Sequence, residues 1–145
     1  MDIVQVLQQA VTPVVLISGV GLLLLTMTNR FGRLTDRTRQ VAGLVKGSKA
    51  GDKKNLQAQL RILSQRGRLL RRSIAEAGFC VLFAALLIIT LFITALAGHD
   101  LEWLDATFFI LSLVFLVLSL VDFIRDVYRA LEAMALEVGE DWNKK

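Results

Sequence analysis

The sequence predicts an all-α integral membrane protein with three spanning helices. Two observations carry that reading. The 145 residues are 54% hydrophobic, with a mean hydropathy of +0.57, above the 45–50% apolar content usual in soluble domains. The excess is also gathered into three runs without a charge, residues 11–28, 77–98 and 106–121. A spanning helix needs about 20 apolar residues to cross a hydrocarbon core of roughly 30 Å. The first two runs meet that length. The third is extended by Leu101, Trp103 and Leu104 on one side and by Phe123 and Ile124 on the other. The predicted spans are about 10–28, 76–98 and 103–123, within a single domain covering 1–145. A soluble helical protein is disfavoured, because three such runs have no soluble surface large enough to cover them.

The first span begins after "MDIVQVLQQ", which has no basic segment and no small-residue cleavage site, so it does not read as a cleaved signal peptide. Pro13, the only proline, lies near the start of the span, where a helix tolerates it. No turn signal separates "VTPVVLISGVGLLLL" from the charged "TMTNRFGRLTDRTRQ". The helix is therefore expected to leave the bilayer and continue.

The connector, residues 29–75, reads as an antiparallel helical hairpin. Phe31, Leu34, Thr38, Val41 and Val45 form one seven-residue stripe, and Leu56, Leu60, Leu63, Gly67, Leu70 and Ile74 form another. "KGSKAGDKKN" between them supplies the turn. After the third span a C-terminal helix is expected over about 124–140, with the stripe Ile124, Tyr128, Leu131, Ala135 and Val138 packed on the hairpin. The outcome is a three-helix bundle, part in lipid and part in cytoplasm. Such a tail helix would set Asp126, Glu132 or Glu137 near arginines of the hairpin.

Charge gives the orientation. All 17 Lys and Arg residues lie in 29–73 or after the third span, and none lies in 1–28 or 98–105. The positive-inside rule places the N-terminus outside and the C-terminus in the cytoplasm. Residues 29–73 carry a net charge of +11, and residues 122–145 a net of −2. Arg30, Arg33, Arg71 and Arg72 lie where helices leave the membrane, and are expected to reach anionic lipid headgroups. Nucleic acid is not an expected partner, because the basic segment lacks interleaved aromatics. No protein partner is identifiable.

At about 100° per residue, Ser18, Leu22, Leu25, Asn29, Gly32, Asp36, Gln40, Gly43 and Gly47 share one face of the first helix, opposite its apolar stripe. Ser18, Gly19 and Gly21 allow close backbone approach. The candidate pore or oligomer face is Ser18, Gly21, Asn29, Gly32 and Asp36. Three uses are open: packing within the chain, contact between subunits, or the lining of a central pore. Glu76 and Asp122 sit at membrane boundaries, within reach of Arg71, Arg72 or Arg125. Interfacial pairing or a role in an ion or proton path would explain them. His99, Asp100, Glu102 and Asp105 form an acidic outer turn, either solvated or gathering cations at a pore mouth. The lone Cys80 is a packing residue, and Trp103 suits an interfacial belt.

No nucleophile–base pair, phosphate-binding loop or metal-ligand spacing appears, so no enzymatic activity, cofactor or metal is expected. The leading functional expectation is a homo-oligomeric inner-membrane protein, as a small ion channel with the first span lining the pore. The alternative is a scaffold or regulatory subunit presenting its basic bundle to anionic lipid or a partner protein.

Ser18, Gly19, Asn29, Arg30, Arg33, Asp36, Arg37 and Arg39, within "VLISGVGLLLLTMTNRFGRLTDRTRQ", resemble the pattern of a bacterial domain-of-unknown-function family of small membrane proteins. "RLLRRSI" at 68–74 resembles it too. The resemblance covers most of the chain. It implies three spans and a bacterial inner membrane, and no activity.

Overall fold

A computed structural model describes residues 3–47, 50–97 and 102–142, and most side chains among them as far as Leu131. The described residues form three helices and no strand: α1 (Ile3–Gly47), α2 (Ala50–Ala97) and α3 (Glu102–Trp142). Each is long and apolar enough to cross a membrane, and the protein is a multi-pass membrane protein. The expected continuity holds: α1 runs without interruption from the apolar run through "TNRFGRLTDR". Pro13 lies inside α1, ten residues past its first. The turn is shorter than the ten-residue signal suggests, since α1 reaches Gly47 and α2 begins at Ala50.

Buried positions recur every seven residues along each helix. In α1 they are Val20, Met27, Leu34 and Val41. In α2 two such lines run side by side, Leu70, Ala77, Ala84 and Leu91 next to Ser73, Cys80, Leu87 and Thr94. In α3 the line is polar: Ser112, Ser119 and Asp126. Each helix contributes to two compact units, one of Met1–Thr26 with Ile74–Ser119, the other of Met27–Ser73 with Leu120–Lys145.

The first unit holds the apolar runs. Val20, Ala77 and Cys80 are buried together, with Leu16, Leu24, Val81, Phe115 and Leu116 against them. A second cluster joins Leu87 and Leu91 to Ala95 and Phe108. Phe115 sits with ring centroids 5.3 Å from Phe79 and 5.5 Å from Phe83, in the range where aromatic pairs attract. Ala77, Cys80, Ala84 and Ser112 are buried where helices meet. Small residues at such positions let backbones approach in lipid, where apolar burial itself gives little drive. Val15, Leu22, Ile89, Leu96 and Val117 point outward, which suits a surface solvated by acyl chains.

In the second unit α1 and α2 pair in opposite directions. Ser73 donates to the Met27 sulfur over 3.4 Å, and Leu34 Cδ2 lies 3.7 Å from where a Cβ on Gly67 would stand. The two connector stripes turn inward as their spacing predicts: Leu34, Val41 and Leu70 are buried, and Phe31, Thr38, Val45, Leu56, Leu60, Leu63, Gly67 and Ile74 half-buried. The expected stripe of α3 does not. Ile124, Tyr128 and Leu131 are exposed, while Asp122 and Asp126 are buried, with Phe123, Val127 and Ala130 half-buried. The reason is electrostatic: arginines of α1 and α2 stand where α3 packs, and carboxylates neutralise them. Ala135 and Val138 lie outside the residues whose side chains are described.

Candidate functional site

Two features stand out, an unpacked face on α1 and a layer of ion pairs in the second unit. The α1 face comprises Ser18, Leu22, Leu25, Asn29, Gly32, Asp36, Gln40, Gly43 and Gly47, and every one is exposed. Leu22 is 70% exposed, so neither α2 nor α3 covers this side. No atom comes within 4 Å of a Cβ built on Gly19, Gly21, Gly32, Gly43 or Gly47. Gly21, Gly32 and Gly43 recur every 11 residues, three turns of a straight helix, so they form a line nearly parallel to the axis. Ser18 donates to the Val14 carbonyl at 3.1 Å and Thr26 to that of Leu22 at 3.1 Å. Their protons are used within the helix, and the oxygens remain as acceptors.

The ion pairs join all three helices. Asp126 of α3 is fully buried, with Arg66 Nε of α2 at 3.4 Å from Oδ1 and Arg30 Nη2 of α1 at 3.8 Å from Oδ2. The Arg30 guanidinium also lies 5.2 Å from the centroid of the Phe123 ring, a cation–π distance. One turn earlier, Asp122 meets Arg72 Nε at 3.1 Å and Arg125 Nη1 at 3.4 Å. These two arginines are 66% and 65% exposed, so the Asp122 pairs are open to solvent on the cationic side. The Asp126 pairs are not: Arg30 and Arg66 are only 27% and 20% exposed. Two guanidiniums on one buried carboxylate make a three-helix clamp with a positive surplus.

The expected headgroup residues therefore divide. Arg33 and Arg71 are exposed, whereas Arg30 and Arg72 turn to carboxylates of α3. Glu76 is buried in the first unit. Also in that unit, the Thr90 hydroxyl lies against the Asp105 carboxylate and 2.9 Å from the Leu87 carbonyl. It carries one proton, and the charged acceptor is the stronger partner. Asp105 thus has a protein contact, and Trp103 is exposed. His99 and Asp100 lie outside the described residues, as do the side chains of Glu132 and Glu137. Among the described residues no group of three His, Cys, Asp or Glu side chains is placed to hold a metal.

Asp126 lies near arginines of α1 and α2 as expected, and Arg66 is the partner that sequence reasoning did not name. A signal for it exists in the seven-residue line Ser112, Ser119, Asp126. A polar line at core spacing marks an inward carboxylate, and hence a buried cation across from it.

A family model of proteins of unknown function, DUF2721, matches residues 10–136. The chain belongs to the DUF2721 family. The match takes in the α1 face and both carboxylates, Asp122 and Asp126. Membership confirms the resemblance carried by Ser18, Asn29 and the arginines that follow, and it assigns no activity. No curated protein and no solved structure matches the chain.

Proposed function

We propose that the protein is a non-enzymatic homo-oligomer of the bacterial inner membrane, with the α1 face of Ser18, Gly21, Asn29, Gly32 and Asp36 turned toward the other subunits. The observation that carries this reading is the uncovered glycine line. Glycine in a helix interior costs about 0.8–1.0 kcal/mol against alanine. Gly21, Gly32 and Gly43 sit in open space among the described residues, so no described residue of the protomer offsets that cost. Close approach of a neighbouring backbone would. Asn29 lies on the same face, one residue past the uncharged run 11–28, where a neighbouring subunit would offer it hydrogen-bond partners. In a ring of subunits, this face would line an ion path whose polar groups are Asn29, Asp36 and the serine oxygen. The topology proposed is N-terminus outside, with residues 29–75 and the end of α3 forming a cytoplasmic hairpin and helix.

A second reading rests on charge. The +11 of residues 29–73 would suit a scaffold or regulatory subunit that holds its basic bundle against anionic lipid or a partner protein. Native mass spectrometry in a mild detergent, followed by liposome ion flux, separates the two. A single closed oligomer with a flux that Asn29→Leu abolishes is expected for the pore. A monomer would refute the oligomer and leave the scaffold reading in front. A closed oligomer without flux keeps the contact and removes the pore.

A further inference from the structure

Beside the clamp, the second unit carries a groove of about 300 Å³ between α1 and α2. Its floor is apolar, from Phe31, Leu34 and Leu63, and three arginines stand on it, Arg39, Arg68 and Arg71. No carboxylate lines it. This side is distinct from the clamp. At about 100° per residue, Arg39 projects roughly 180° from Arg30, and Arg68 roughly 200° from Arg66. Arg39 and Arg68 thus face away from α3, whose Asp122 and Asp126 pair with Arg30, Arg66 and Arg72, and Arg71 lies roughly 140° from Arg66.

The arginines are also aimed at one another. Side chains on a helix lean toward its N-terminus. Because α1 and α2 run in opposite directions here, Arg39 leans back toward the first span, while Arg68 and Arg71 lean away from the second. All three line the groove, and these directions lean Arg39 of α1 and Arg68 and Arg71 of α2 toward one another. Of the hydroxyls that line the groove, those of Thr35 and Thr38 are already engaged, Thr35 donating to the Phe31 carbonyl at 2.9 Å and Thr38 to that of Leu34 at 2.8 Å, which leaves Ser64. The arginines therefore supply most of the donors available there, and guanidinium forks match phosphate oxygens.

The groove opens close to the bilayer. Phe31 follows the uncharged run 11–28 by three residues and Arg71 precedes the run 77–98 by six, about 4.5 Å and 9 Å of helix rise, so this end of the groove adjoins the polar layer of roughly 5–7 Å, and Arg68 and Arg39 stand farther out. We propose that this groove is a binding site for an anionic phospholipid of the adjoining leaflet, its phosphate held by Arg39, Arg68 and Arg71 and its apolar part leaving over Leu34 and Phe31. The proposal gives a specific place to the lipid contact that the basic segment implies. It stands apart from the oligomer, because it uses neither the glycine line nor Asn29.

The test is native mass spectrometry of the full chain with phosphatidylglycerol or phosphatidylcholine added to detergent. Each near-leaflet arginine contributes about fivefold to binding, so Arg39→Gln, Arg68→Gln and Arg71→Gln combined should weaken phosphatidylglycerol retention about a hundredfold. The combination Arg37→Gln, Lys46→Gln and Arg61→Gln removes the same charge from exposed positions outside the groove, and should retain the lipid. Equal loss in both combinations would overturn the site, since charge alone would then explain binding. No loss in the groove combination would overturn it too. Displacement of the lipid by glycerol phosphate at similar concentration would assign the groove to a soluble phosphate compound and refute the lipid. If the triple variant does not fold, Arg68→Glu alone gives the same reading, because it leaves the groove floor intact.

Discussion

Removing the carboxylate of Asp126 should cost more stability than any other single change at a polar residue of the bundle. Its Oδ1 is 3.4 Å from Arg66 Nε, and its Oδ2 is 3.8 Å from Arg30 Nη2. At an effective dielectric of about 20, a unit charge pair at such a distance attracts by roughly 4–5 kcal/mol before the cost of burying the charges. Much of that attraction is offset by desolvation. Truncation is still costly, because it leaves the partner cations buried and unbalanced, at about 3–5 kcal/mol for a fully buried pair. Here the arginines keep 27% and 20% of their side-chain surface, and can partly reach water. The expected loss for Asp126→Ala is therefore at the lower end, about 3 kcal/mol. In a chain of this size that lowers the melting temperature by roughly 6–12 °C. The assay is thermal unfolding in detergent, followed by size-exclusion fluorescence, with Asp126→Leu combined with Arg30→Leu and Arg66→Leu as the companion. Replacing all three charges by apolar groups should recover most of the loss. A shift below about 2 °C for Asp126→Ala would refute the clamp as a stabilising element. A companion as unstable as the single variant would refute charge imbalance as the cause.

Three further outcomes follow from the same geometry. Asp122→Ala should cost only about 1 kcal/mol in the same melting assay, because Arg72 and Arg125 are largely exposed and resolvate easily; a loss matching that of Asp126→Ala would contradict this ranking. Thr90→Val keeps the shape but removes the donor facing Asp105, so about 1–2 kcal/mol should be lost, and an unchanged melting temperature would show that Asp105 finds another donor. Gly32→Leu meets open space within the chain, so the isolated protomer should melt no lower and gain about 0.8 kcal/mol of helix propensity. The oligomer should dissociate in native mass spectrometry, and an oligomer that survives would move the subunit contact elsewhere.

Legibility of the fold varied by helix. In α1 and α2 the apolar stripes read from spacing, Phe31 to Val45 and Leu56 to Ile74, are the sides that turn inward. There hydrophobic periodicity and packing agree, because the facing surface is itself apolar. In α3 the same rule chose Ile124, Tyr128 and Leu131, which are exposed. Periodicity ranks residues by their aversion to water, and it does not register that Arg30, Arg66 and Arg72 of other helices favour carboxylates over leucine. The uncovered face of α1 was legible as a separate stripe of small and polar residues. That no other described part of the protomer packs on it was not.

The sequence by itself determined that the protein is three long helices that cross a membrane. It did so through three uncharged runs and the absence of any breaker where they meet charge, both of which are local properties of the chain. It also determined that the basic residues gather beyond the spans. The tertiary structure alone decided which arginine meets which carboxylate. Arg66 and Asp126 are 60 residues apart, and their contact depends on the register of two separate helices. The tertiary structure likewise separated the arginines neutralised by α3 from Arg39, Arg68 and Arg71, which line a groove without a carboxylate. Composition treats all of these arginines alike, and their surroundings in the folded chain make them different.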